Sequence, residues 1–158
     1  MKNLSIMCYK KYSDLIKTLN SISDVTDVIE VGTQHRGEFV LLCTQKISSD
    51  ELSAAQDSLQ INDPHSSLLP AYFKQSPITV EKNMVVVESP QLSVLFEVTQ
   101  SILSKSDFQC IEIQRSLTDT GLGYALFCNG SDVSVFQKIT HAQVTILETP
   151  SATLKYFF

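Results

Sequence analysis

The second half of the chain repeats the first. Tyr12-Ser13-Asp14-Leu15-Ile16-Lys17-Thr18-Leu19-Asn20-Ser21-Ile22 falls on Leu92-Ser93-Val94-Leu95-Phe96-Glu97-Val98-Thr99-Gln100-Ser101-Ile102 without a gap, with Ser13, Leu15, Ser21 and Ile22 identical to their partners. Ile29-Glu30-Val31 then matches Ile111-Glu112-Ile113, and Phe39-Val40-Leu41-Leu42-Cys43 matches Tyr124-Ala125-Leu126-Phe127-Cys128. Last, Asp63-Pro64-His65-Ser66-Ser67-Leu68 with Tyr72-Phe73 matches Thr149-Pro150-Ser151-Ala152-Thr153-Leu154 with Tyr156-Phe157. These blocks recur in one order at a spacing of roughly 80 residues, too long for a solenoid unit and suited to two copies of a small domain.

The chain has 158 residues, 43% hydrophobic and 18% charged, enough for two small cores or one shared core. Its formal charge of -5 argues against a nucleic-acid partner or an anionic membrane surface, both of which demand clustered Lys and Arg. After Met1-Lys2-Asn3-Leu4 the first apolar run is broken by Lys10 and Lys11, so neither a signal peptide nor a spanning segment is expected, and a cytoplasmic location is. Cys8, Cys43, Cys110 and Cys128 lie inside apolar runs without metal-ligand spacing and read as buried free thiols. Asn129-Gly130-Ser131 reads as a turn.

In order, Leu4 to Tyr9 suits a strand buried on both faces. Tyr12, Leu15, Ile16, Leu19 and Ile22 follow at helical spacing, with Ser13 a candidate cap in the opening turn. Val25 to Val31 and Glu38 to Gln45 are apolar, β-branched-rich runs joined by Gly32-Thr33-Gln34-His35-Arg36-Gly37, which reads as a hairpin connection. Ser48 to Glu51 offers a capping box for a short helix through Ala55, Leu59 to Ile61 a last strand, and Ser66 to Tyr72 a further helix interrupted by Pro70. Lys74 to Lys82 serves as connector.

The second copy starts afresh with a strand at Met84 to Glu88 and a helix whose apolar face is Leu92, Leu95, Phe96, Thr99, Ile102 and Leu103. Phe108 to Gln114 and Tyr124 to Cys128 are paired strands joined by a longer loop, Ser131-Asp132 caps a short helix to Lys138, and Ala142 to Leu147 alternates as a strand. Each copy is therefore β-α-β-β-α-β plus a tail, an α+β arrangement and a variant of the ferredoxin-like order. The expected domains are 1–76 and 77–158.

Glu88-Ser89-Pro90-Gln91-Leu92 leads into a helix, Ser104-Lys105-Ser106-Asp107-Phe108 into a strand, and Asn129-Gly130-Ser131-Asp132-Val133-Ser134-Val135 opens the second helix before a strand ending at Pro150. This pattern resembles the bacterial microcompartment (BMC) shell domain, where the corresponding motifs are Glu-Thr-Arg-Gly-Leu, an alanine-rich helix, Gly-Asp-Val and a terminal Pro-Arg-Pro-His. Asp63-Pro64-His65 resembles that last motif in the first copy, and Thr149-Pro150-Ser151 keeps its proline. The resemblance spans nearly the whole chain and rests on pattern and order more than on identities.

The resemblance implies a tandem shell protein in which three chains, a homotrimer, make a pseudohexagonal disc with a central pore, accompanied by other shell proteins. In such discs the hairpin between the second and third strands lines the pore. Carried onto this sequence, the pore candidates are Gln34, His35, Arg36 and Gly37 from the first copy and Thr118, Asp119, Thr120 and Gly121 from the second. Arg36 alternating with Asp119 would make a mixed-sign ring; as plain surface loops the same residues would be solvated hairpin tips. The sequence departs from the family at the disc edge, where a lysine usually precedes the second strand. Ser104 holds that place beside Lys105 in the second copy, and Ile22 or Ser23 in the first. The alanine-rich helix is replaced by bulkier residues such as Phe96 and Leu19, which changes packing between neighbours; a closed trimer that does not tile is compatible with the sequence.

No catalytic residue is expected. His35, His65 and His141 stand far apart without ligand-spaced Cys or acids, so no metal is expected. Ser13 and Ser93 lack a glycine elbow, Gly121 and Gly123 lack a phosphate-loop lysine, and Glu30 and Glu112 read as solvent-facing strand residues. The chain is expected to be a non-enzymatic assembly protein without cofactor. The alternative is a duplicated ferredoxin-like module that binds a small molecule and regulates. The tails Pro64 to Phe73 and Pro150 to Phe158 favour the first reading, since Tyr156, Phe157 and Phe158 call for a partner surface.

Overall fold

The computed structural model describes all residues from Met1 to Phe158. The chain folds into two compact units. The first comprises Met1–Pro64 with Pro90–Ser93 and Arg115–Gly121, the second His65–Ser89, Val94–Gln114 and Leu122–Phe158.

The first unit holds β1 (Asn3–Tyr9), α1 (Tyr12–Ser21), β2 (Val28–His35), β3 (Glu38–Cys43), α2 (Ser49–Ser53) and β4 (Asp57–Asn62). The strands form one antiparallel sheet in the order β2-β3-β1-β4. This is the ferredoxin-like order: β3 lies between β1 and β2 and runs against both. Every residue of β1 from Leu4 to Tyr9 is wholly buried, so the strand is covered on both faces. On one face Met7, Tyr9, Leu41, Cys43 and Ile47 form a core with Leu15 of α1, against which Leu19 and Ile22 pack.

Helix α1 turns Leu15, Leu19 and Ile22 inward as its apolar spacing suggests, but not Tyr12 and Ile16. Tyr12 and Ile16 are 50% and 42% exposed, while Thr18 is buried. The cause is Tyr9, a buried phenol whose hydroxyl needs a polar partner and finds the Thr18 hydroxyl at 2.8 Å. Nor does Ser13 cap the helix; Lys11 stands at the cap and makes no side-chain bond there. Asp24, in contrast, accepts from the Thr26 amide at 2.9 Å and turns Val25–Asp27 into a 3-10 turn, so β2 starts at Val28.

At its far end β2 runs on to His35, past the glycine at which a loop was expected. Gly32, with φ +78°, falls where the ladder slips between Val31 and Thr33, so the strand absorbs it as a bulge. The hairpin turn is left with Arg36 and Gly37, whose φ values of +54° and +76° suit a tight two-residue turn.

In the second unit α3 (Leu68–Tyr72) precedes β5 (Met84–Ser89), and α4 (Leu92–Lys105) contributes from Val94 onward. β6 (Gln109–Gln114), β7 (Gly123–Cys128) and β8 (Gln143–Leu147) follow, and α5 (Ala152–Phe157) ends the chain. Their antiparallel sheet has the order β6-β7-β5-β8, the counterpart of the first. Between β7 and β8 the expected helix is a 3-10 turn, Val133–Phe136, whose amide at Ser134 donates to Asp132. Leu95, Phe96, Ile102 and Leu103 of α4 are buried, and so are Val94 and Val98, so its apolar face is wider than the spacing marked, with Glu97, Ser104 and Lys105 left exposed. Thr99, also buried, donates its hydroxyl to the Leu95 carbonyl at 2.7 Å.

The paired registers place Cys43 opposite Val28 and Cys128 opposite Gln109, so the two cysteines are true counterparts. Glu30 and Glu112 are not. Val31 faces Leu41 in the first sheet, whereas Glu112 faces the matching Leu126 in the second. The Gly32 bulge has no equivalent in β6, whose ladder slips once rather than twice.

Candidate functional site

The turn Arg36–Gly37 brings the first unit's polar side chains together. His35, at the end of β2, is wholly buried. Its Nδ1 accepts the Ser116 amide at 3.0 Å and its Nε2 stands 2.9 Å from the Pro90 carbonyl. Because a carbonyl only accepts, Nε2 carries the proton, Nδ1 is the acceptor and the ring is neutral. Desolvation holds its pKa below the usual histidine value, and Arg36 and Arg115 push the same way against the Pro90 bond and the Asp57 charge.

The segment Arg115–Gly121 is stitched to this hairpin by backbone and side-chain groups together. The Arg36 amide donates to the Ser116 carbonyl at 3.2 Å, and the Arg115 guanidinium donates to the Gln34 carbonyl at 2.5 Å. Ser116 shapes the loop by donating its hydroxyl to the Thr118 carbonyl at 3.0 Å.

Of the expected pore residues, Gln34, Gly37, Thr118, Asp119 and Thr120 are exposed, Arg36 and Gly121 are half-buried, and His35 is the buried anchor beneath them. The two loops meet at Gly37 and Asp119, where a methyl group on Gly37 would lie 2.9 Å from Asp119 Oδ1. A cleft of about 330 Å³ opens beside this meeting point, lined by Lys10, Arg36, Glu38, Asp57 and Asp119 together with Gln56, Pro90 and Gln91.

Asp57, the first residue of β4, accepts both the amide and the hydroxyl of Ser93, at 3.0 and 2.5 Å. The carboxylate thereby sits against the first turn of α4, whose free amides favour an anion. Burial and the nearby Asp57 charge raise the pKa of Glu38, with Lys10 and Arg36 opposing. Two cations and three carboxylates thus share one cleft. Sequence reading missed Asp57 and Ser116 and weighed Ser93 only as a nucleophile, because each acts through a partner more than twenty residues away.

No nucleophile with an adjacent base is found in this cleft. The four cysteines are buried and unpaired, and burial pushes Cys110 up to about 12 and Cys128 up to about 11, leaving neither as a thiolate near neutrality. His65 accepts the Ser67 amide at its Nδ1, 3.1 Å away, and its own amide donates to Gln100. His141 lies 3.9 Å from Glu97. No group of three or more His, Cys, Asp and Glu converges as a metal would require, and no helix is long and apolar enough to cross a membrane.

No protein-family model matches the chain, and no curated protein does. Solved structures do. A microcompartment protein from Desulfitobacterium hafniense superimposes with a TM-score of 0.74 at 13% identity, over 99% of this chain and 99% of that one. The chain therefore has, from end to end, the α+β fold of a microcompartment protein, the fold that the motifs along nearly its whole length suggested.

Proposed function

We propose that this protein is a non-enzymatic assembly subunit of shell type. Its repeats, 1–76 and 77–158, are two shell-type domains, and three chains close into a pseudohexagonal disc. The carrying observation is the likeness to a microcompartment protein along the whole of both chains, since a binding module sharing one domain would match only in part. A central pore is lined by Gln34–Gly37 and Thr118–Gly121, with Arg36 and Asp119 giving it mixed sign. The loops are suited to this, being held by backbone hydrogen bonds with their polar tips exposed. Tyr156 and Phe157 in α5, 83% and 73% exposed, suit a surface covered on assembly with copies of this chain or other shell proteins. The place of action is then a shell in the cytoplasm.

Light scattering of the native protein with negative-stain images tests this reading. A mass of three chains with a hexagonal outline is expected. A monomer or dimer overturns the disc and turns the reading to a ligand-binding module, for which the mixed-charge cleft around Asp57 is the specific support.

A further inference from the structure

The second unit carries a cleft of another character. Residues Glu97, Val98, Ser101, Ile102 and Lys105 follow one another at helical spacing along α4 and form one wall. The 3-10 turn and the segment after it, with Val135, Lys138, Ile139 and His141, form the other, and the cleft between them has a volume of about 360 Å³. Its floor is aliphatic: Val98 and Ile102 are each only 4% exposed, and Val135 and Ile139 are half-buried.

The charges around this floor are unevenly matched. Glu97 has His141 at 3.9 Å, an ion pair only while the imidazole is protonated, and Lys138 lies in the field of Asp132, but neither Lys105 nor Lys138 has a carboxylate within 4.0 Å. On a chain of formal charge -5, two exposed lysines lining a cleft with an apolar floor make a local exception to the prevailing field. The floor offers an alkyl or aryl group burial from water, and the lysines offer charge-assisted hydrogen bonds to an anion at its end. A cavity of this size suits a small molecule rather than a polymer segment.

We propose that this cleft is a binding site for small carboxylates with an apolar body. The aliphatic part lies on Val98, Ile102, Val135 and Ile139, and the carboxylate accepts from Lys105 and Lys138. The site is independent of the disc and stands whether the protein is a trimer or a monomer.

Octanoate titrated into the full chain, followed by melting temperature and by amide chemical shifts, provides the test. A saturable rise in melting temperature is expected, with shifts centred on Val98, Ile102 and Val135–His141. Octylamine, with the same tail and the opposite charge, should bind at least about tenfold more weakly, and so should octanoate to the Lys105→Gln/Lys138→Gln double variant. Ser101→Phe, which fills the cleft from its half-exposed wall, should abolish the response while the protein stays folded. Absence of saturable binding, equal binding of octylamine, or unchanged affinity in the double variant overturns the proposal. A fall in native mass on Ser101→Phe also overturns it, by assigning the cleft to contact between copies.

Discussion

The Nδ1 of His35 accepts the backbone N–H of Ser116 at 3.0 Å, across eighty-one positions of sequence. With Nε2–H on the Pro90 carbonyl, both ring nitrogens are used and neither is available to a second proton. Protonation would set an N–H against the Ser116 N–H. The native pKa is lowered from the ordinary 6.5, so the unfolded chain binds the proton more readily. His35 stabilisation is therefore full above that value and is lost as pH falls through it toward the lowered native one. Urea denaturation at pH 7.5 and pH 5.5 should show this loss. His35→Ala should remove the histidine's part of it and destabilise at pH 7.5 by about 2–4 kcal/mol, through a cavity and two unpaired backbone groups. A variant with undiminished pH dependence would refute the assignment.

The buried pair Tyr9 and Thr18 yields a double-mutant cycle. Thr18→Val keeps the shape of the side chain but takes the partner from a buried phenol, leaving the weaker Met7 sulfur at 3.5 Å. A loss of about 1–2 kcal/mol is expected, and less from Tyr9→Phe/Thr18→Val than from the two single changes summed. Additive single effects in denaturant titration would show that the hydroxyls do not act together.

The order β-α-β-β-α-β was legible because each copy states it separately and because Ser48 and Asp132 cap the short helical turns they precede, as the structure bears out. Short-range signals of this kind survive folding. The features that escaped were set by partners distant in sequence. Spacing alone put Ile16 on the apolar face and gave no sign that Thr18 is drawn inward, since Tyr9 enters only through β1. It ended β2 before Gly32, since a glycine reads alike as a loop or as a bulge until the opposite strand is known. It placed His35 at a solvated tip, when its two bonds reach Pro90 and Ser116. The loops were found from the resemblance; the carboxylates Glu38 and Asp57 beside them had no motif to announce them.

Gly130 is where the lack of a side chain matters most. A methyl group there would overlap the ring of Phe108, which is buried and packed edge-on against Phe136 with centroids 4.9 Å apart. Gly130→Ala should therefore destabilise by about 2–3 kcal/mol, lowering the melting temperature by roughly 2–4 °C for each of these. At Gly32 the added group meets only Tyr12 at 3.6 Å, so Gly32→Ala should cost about 1 kcal/mol, from the positive φ alone. Equal melting temperatures for the two variants would show that Phe108 moves aside freely.

Asp57 and Ser93 tie β4 to the first turn of α4 within the first unit. Ser93→Ala removes the hydroxyl donor but leaves the amide bond, whereas Asp57→Ala removes both. If the carboxylate acts as an anion at the helix start, Ser93→Ala should destabilise by about 1 kcal/mol and Asp57→Ala by about 2, with Asp57→Asn between them. The ranking separates charge from shape, because asparagine keeps an acceptor and loses the anion. Asp57→Asn should also lower the pKa of Glu38, since Asp57 is among the charges that raise it. Carboxyl chemical shifts of Glu38 followed through an acid titration would read that change, and an unmoved midpoint would mean that burial alone holds Glu38 up.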